Sequence, residues 1–230
     1  MKIKVLLFFF GIVFCVSTGY SQSEINQVDA EGKRHGLWKK TFAGSTQLRY
    51  EGTFKHGKEV GEFKFYCEEC KDQPMVIKKF SSKDNTAHVS YFTKKGKLVS
   101  EGKMAGKERI GEWVYYHKGS NNIMTREHYT SGKLDGKMTT YYPNGTITEV
   151  INYKDGKKEG ENSYFSPEGI LLKKLNYKND VLHGSATYYD AYGNVIIEGA
   201  YKNNKKHGLW KYYKDGKTVL EETFPKPKNK

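Results

Sequence analysis

The sequence predicts an all-β fold, an elongated repeat array of about eight antiparallel β-hairpins in a meander sheet, with little or no helix. Three observations carry that expectation. One glycine recurs at a nearly fixed interval, the residues after it alternate with the period of a strand, and dipeptides suited to tight turns separate the alternating segments.

The recurring glycine stands at Gly36, Gly61, Gly111, Gly136, Gly160, Gly184 and Gly208, at intervals of 25, 50, 25, 24, 24 and 24. The interval of 50 is twice 25. It marks one degenerate unit that has lost its glycine near Ala87 but keeps Tyr91-Phe92 and Lys95-Gly96-Lys97-Leu98. Lys33-Arg34-His35-Gly36-Leu37-Trp38-Lys39 returns near the far end as Lys205-Lys206-His207-Gly208-Leu209-Trp210-Lys211. A period of this length implies small units that bury their apolar surface only by stacking on their neighbours.

Within a unit, the first strand carries apolar or aromatic residues two and four positions after the glycine, and a second aromatic at the fifth. Gly111 leads to Trp113, Tyr115 and Tyr116; Gly208 leads to Trp210, Tyr212 and Tyr213. Strand geometry puts +2 and +4 on one face and +5 on the other. Asn144-Gly145, Glu168-Gly169, Gly193-Asn194 and Asp215-Gly216 then supply the positive φ that hairpin turns need. A second alternating strand follows, as in Val195, Ile197, Gly199 and Tyr201, and a turn such as Lys154-Asp155-Gly156-Lys157 closes the unit. Sixteen such strands make a ribbon about 75 Å long. It should twist along its length, with the repeat glycine marking a bend or a close backbone approach.

The ends read differently. Lys2 and Lys4, an apolar run over residues 5–16 and the small residues Ser17, Gly19 and Ser21 form the pattern of a secretory signal peptide, with cleavage expected after Ser21. A membrane span needs roughly 20 apolar residues, more than this run provides. The expected organisation is a signal peptide at 1–21, one repeat domain at 22–224 with its degenerate unit near 67–104, and a disordered basic tail at 225–230. That describes a secreted or periplasmic protein with no transmembrane segment in its mature chain. Removal of Lys2 and Lys4 takes the formal charge from +13 to +11.

Units such as Gly136-Lys-Met-Thr-Thr-Tyr141-Tyr142-Pro-Asn144-Gly145 and Gly208-Leu-Trp210-Lys-Tyr212-Tyr213-Lys-Asp215-Gly216 resemble the MORN repeat variant, over residues 31–224. Exported arrays of this kind resemble the YwqK-like antitoxin family. Units here run longer than the usual MORN form, and the stretch 67–92 is eroded. The resemblance implies protein–protein contact and, secondarily, acidic lipids. An antidote to a cytoplasmic toxin would not carry a signal peptide.

Residues able to carry chemistry are few. Cys67 and Cys70 sit where other units carry a turn dipeptide. A redox pair wants a helix N-terminus and a zinc site wants four ligands. In an oxidising compartment a local disulfide is the expected outcome. His35, His183 and His207 hold equivalent places in their units, which puts neighbouring rings roughly 9–10 Å apart, too far to share one ion. They read as turn residues, and no metal ligand, cofactor or catalytic residue is assigned. Glu101, Glu127, Glu198 and Glu221 recur on second strands beside lysines, as cross-strand charge pairs do. The second aromatics, Tyr66, Tyr116, Tyr142, Phe165, Tyr189 and Tyr213, should form a ladder along one face. The expected function is a non-enzymatic exported scaffold binding protein partners along its ribbon, another copy of itself included. The alternative is a surface binder of anionic lipid or glycan through basic edges and the aromatic ladder. Export sets nucleic acid aside as a partner.

Overall fold

The computed structural model describes residues 25–226; the expected signal peptide and most of the expected basic tail lie outside the described residues. The strands are β1 (Gln27–Val28), β2 (Arg34–Thr41), β3 (Leu48–Lys55), β4 (Lys58–Phe65), β5 (Val76–Phe80), β6 (Thr86–Phe92), β7 (Leu98–Ala105), β8 (Glu108–Tyr116), β9 (Ile123–Thr130), β10 (Lys133–Leu134), β11 (Gly136–Tyr141), β12 (Ile147–Lys154), β13 (Lys157–Lys158), β14 (Gly160–Phe165), β15 (Leu171–Lys178), β16 (Val181–Tyr189), β17 (Val195–Lys202), β18 (Lys205–Lys214) and β19 (Lys217–Phe224). Every pairing is antiparallel and joins near neighbours in sequence, so the 19 strands form one open meander sheet. No helix occurs among the described residues. Eight hairpins result, from β2–β3 to β18–β19, with β10 and β13 as short pieces ahead of the repeat glycine in the fifth and sixth.

Two kinds of irregularity recur. Inside the hairpins the register slips at the +5 residue, leaving one second-strand residue unpaired: Tyr115 faces Thr125 and Tyr116 faces Ile123, so Met124 has no partner. At the seams between hairpins the slip is larger and lies at the repeat glycine. Leu175 faces Ala186 and Tyr177 faces Leu182, so one residue on β15 opposes three on β16. Gly52 likewise stands opposite Gly61, Glu62 and Phe63. All seven repeat glycines have φ between +63° and +107°, where an L side chain is strained. The glycine therefore marks a bulge that bends each hairpin against the last. Ala87 fits this rule as an exception: β5 and β6 pair without any slip, so extended backbone suffices there and alanine can replace glycine.

The core lies on the +2 and +4 face. The +2 residues Phe63, Val89, Trp113, Asn162, Ala186 and Trp210 are buried. The large ones sit over a glycine on the preceding hairpin's second strand. A Cβ on Gly52, Gly102 or Gly199 would lie 2.4, 2.4 or 2.3 Å from the ring of Phe63, Trp113 or Trp210. Where a hairpin offers Leu175 instead of glycine, the next supplies the small Ala186. Each tryptophan closes its seam further: Trp113 Nε1–H donates to the Lys103 carbonyl and Trp210 Nε1–H to the Ala200 carbonyl, both at 3.0 Å. Arg109 Cζ and Lys206 Nζ lie 4.5 and 4.3 Å from those indole centroids, covering with cation–π contacts the face that a second sheet would cover in a sandwich. Burial gathers into two clusters. One centres on Val89 and Trp113, and the other on Leu175, Ala186 and Trp210.

The two ends are finished by different means. β1 pairs with the start of β2, and Asn26 continues the cover: its N–H donates to the Leu37 carbonyl and its Oδ1 accepts from the Lys39 N–H, both at 2.8 Å. At the other end Glu222 takes the place that Gly199 holds one hairpin earlier, opposite the +2 residue of its own hairpin. Its carboxylate accepts from Tyr212 at 3.0 Å and meets Lys226 at 2.8 Å. An inward charge at this position rejects a further aromatic.

Candidate functional site

The face away from the core is laid out by the pairing register. A transverse row runs Lys39, Glu51, Lys64, Ile77, Ser90, Glu101, Val114 and Arg126, and continues through Thr139, Val150, Ser163 and Lys174 to Thr187, Glu198, Lys211 and Glu221. Five of the six expected ladder aromatics, all but Tyr142, lie two residues beyond this row and so on the same face.

All six expected ladder residues are half-buried. Tyr66 OH donates to Glu51 Oε1 at 2.8 Å and Tyr116 OH to Glu101 Oε1 at 2.7 Å. Tyr213 OH donates to Glu198 Oε1 in the same way. In each case the carboxylate belongs to the preceding hairpin. Phe165 faces Leu171 and Tyr189 faces Val195 within their own hairpins. Tyr142 falls one residue past the end of β11 and donates to the Phe165 carbonyl at 3.1 Å. Tyr141, facing Ile147, holds the register place that Tyr116 holds facing Ile123. The fifth hairpin has an additional tyrosine after the +5 position, and pairing selects the first of the two.

The same hydrogen bonds tune the ionisable groups. Burial alone would raise the Glu101 carboxyl, but donation by Tyr116 and His88 outweighs it and holds the group below its ordinary value. Glu51 is held down likewise, against its burial, by Tyr66 and Lys39. Tyr116 is pushed up to about 12 by burial and by the carboxylate it serves. Of the four glutamates expected beside lysines, Glu221 meets Lys211 at 3.9 Å. Glu101 and Glu198 instead take tyrosine hydroxyls that reach across a seam, and Glu127 accepts from Tyr129 at 2.7 Å.

A second set of residues joins the ladder, and alternation alone could not reveal it. In every hairpin but the second, where β4 and β5 pair without a slip, one residue is left unpaired beside the +5 residue. In five hairpins it is aliphatic: Val99, Met124, Leu172, Ile196 and Val219. Val99 is 41% exposed, Met124 37%, Leu172 37% and Val219 62%. Half-buried rings and exposed aliphatic side chains thus recur beside one another in the third, fourth, sixth and eighth hairpins, while Thr148 takes the aliphatic place in the fifth.

Cys67 and Cys70 form a disulfide with Cα atoms 5.0 Å apart, in the loop between β4 and β5. That loop is longer than the turns of its neighbours. It is tied down by Gln47 Nε2–H donating to the Lys71 carbonyl at 2.7 Å and by the Lys94–Glu69 ion pair. His35, His183 and His207, expected in turns, instead lie on β2, β16 and β18 just before the repeat glycine, where the strand runs on into the bulge; His183 and His207 are exposed. A recess of about 620 Å³ between Phe54 and Phe80 is lined by Lys58, Glu59, Asp84 and the serines Ser81 and Ser82, with no histidine or cysteine among its lining residues. No helix among the described residues is long and apolar enough to cross a membrane.

Comparison with known protein families matches residues 134–155 and 158–179 to the MORN repeat variant. These segments are the fifth and sixth of the eight hairpins, so two adjacent units of the array match the MORN repeat variant. A comparison with curated proteins finds no match.

Proposed function

We propose that this protein is a non-enzymatic scaffold, exported to the periplasm or beyond, that binds protein partners along the aromatic–aliphatic track. The observation that carries this reading is the row of exposed Val99, Met124, Leu172 and Val219 beside the half-buried tyrosines. Apolar side chains exposed at a repeated position among charged ones suit a protein-binding surface, and MORN repeat units elsewhere serve as binding modules. The glutamate–tyrosine bonds across the seams hold the rings in place before a partner arrives, which lowers the ordering cost of binding.

The test is capture of envelope proteins on the tagged chain, with Met124→Asp/Leu172→Asp as the control. These side chains are exposed, so the double variant should fold as the parent does by circular dichroism. It should lose any protein that the parent retains at stoichiometric level through a high-salt wash. Retention by parent and variant alike would overturn the assignment of the track. A second reading, attraction to anionic lipid or glycan, rests on the aromatic ladder and on the formal charge of +11 that remains once Lys2 and Lys4 are removed from +13. It requires vesicle binding that disappears with salt, since exposed charges are screened over about 10 Å at 0.1 M.

A further inference from the structure

The N-terminal cap gathers three side chains that sequence spacing alone does not associate. Asp29 lies in the turn before β2, His35 on β2, and His56 in the turn between the first and second hairpins. His56 comes close because Phe54 pairs with Gly36 and the Gly57 N–H donates to the Arg34 carbonyl at 2.8 Å, folding the turn back over the start of β2. Comparing histidines at equivalent repeat positions overlooks this, since His56 comes from the other turn of the unit.

The geometry is that of a preformed ligand set. Asp29 Oδ1 accepts the backbone N–H groups of Lys33 at 2.8 Å and Glu31 at 3.1 Å, so the carboxylate is oriented with its Oδ2 turned toward His56. Oδ2 lies 2.8 Å from His56 Nδ1, and the His35 and His56 rings stand 5.0 Å apart edge to face. One ligand atom from each of the three residues falls within 4.8 Å of the other two. A tetrahedral ion with bonds of about 2.0–2.1 Å needs ligand atoms roughly 3.3 Å apart, a spacing reached by small rotations of two surface imidazoles. Backbone donors holding the other oxygen of a ligating carboxylate are the usual supporting shell of such a site.

We infer that Asp29, His35 and His56 form a site for a divalent transition cation of the zinc type. The donor set decides the class. Two imidazoles and one carboxylate suit Zn²⁺ and its neighbours, whereas Ca²⁺ and Mg²⁺ want several oxygens. The ion replaces the hydrogen between His56 and Asp29, leaves one coordination position for water or a partner's donor, and pins the 26–33 segment over the edge of β2.

Titration of Zn²⁺ into the untagged, metal-stripped chain by calorimetry tests this, with hydrogen exchange read over residues 25–41. The expected result is one equivalent bound at micromolar metal, with slower exchange in that segment. Asp29→Asn and His56→Ala should each weaken binding at least about tenfold, while His183→Ala leaves it unchanged. His56 is an exposed turn residue, and circular dichroism checks that its variant folds. Absence of stoichiometric binding, or binding insensitive to Asp29→Asn and His56→Ala, would overturn the site. The scaffold reading does not depend on either result.

Discussion

Gly102 and Trp113 show how single residues fix this fold. The glycine has no side chain because the indole of the next hairpin occupies that volume, with ring atoms 2.4–2.6 Å from where a Cβ would stand. Gly102→Ala should therefore lower stability by about 1–3 kcal/mol through overpacking, and Trp113→Ala by about 3–5 kcal/mol through the cavity it leaves. The Leu175–Ala186 seam fills the same place with the sizes reversed. It follows that Gly102→Leu/Trp113→Ala should be more stable than the sum of its single changes predicts. Urea unfolding followed by circular dichroism measures this, and strict additivity would refute the volume match. On the opposite face, a double-mutant cycle of Glu101→Gln and Tyr116→Phe should return a coupling of about 1–2 kcal/mol, as for a hydrogen bond to a half-buried charge.

At the scale of the element, the seam between hairpins is the informative unit. Hairpin number, strand alternation and turn positions were legible because each depends on near neighbours in sequence: Gly111, Trp113 and Tyr115 declare a strand by themselves. The two-residue bulge at the repeat glycine, the aliphatic residue exposed by the smaller bulge, and the pairing of Tyr116 with Glu101 were not legible. Each depends on register, which is set by contacts between successive strands rather than within one. Tyr142 is a different case: counting five residues from Gly136 already gives Tyr141, and the pairing of Tyr141 with Ile147 agrees with that count. The seams are also unequal. The two core clusters flank a stretch in which Met138 replaces the large +2 aromatic, and in which buried Asn162 leaves its Nδ2 without a partner. Amide hydrogen exchange should be faster over residues 136–154 than in β8 or β18, because fewer buried contacts resist local opening there. Uniform protection along the array would contradict this.

For the whole molecule, stability should depend on pH from both sides. Glu51 and Glu101 sit below their ordinary values when folded. Their contribution is present above the unfolded carboxylate value of about 4.3 and is lost as pH falls through the lower folded values. Tyr116 is raised to about 12, so its contribution is intact below the unfolded phenol value of about 10 and is lost as pH climbs toward the folded one. Urea midpoints at pH 3, 7 and 11 should be highest at pH 7. Glu101→Gln should flatten the acid arm, and Tyr116→Phe the alkaline arm.

The seam also bears on how such a chain can be lengthened or recombined. The glycine and the ring that covers it lie 11 residues apart, and the glutamate and its tyrosine 15 apart, with a hairpin boundary inside both intervals. A crossover cut between hairpins separates these partners and sets an aromatic against whatever strand precedes it. One cut at the turn within a hairpin carries both halves together. The portable cassette is thus half a repeat out of phase with the visible hairpin, and viable duplications or chimaeras should join at turns such as 143–146, not at turns such as 131–132.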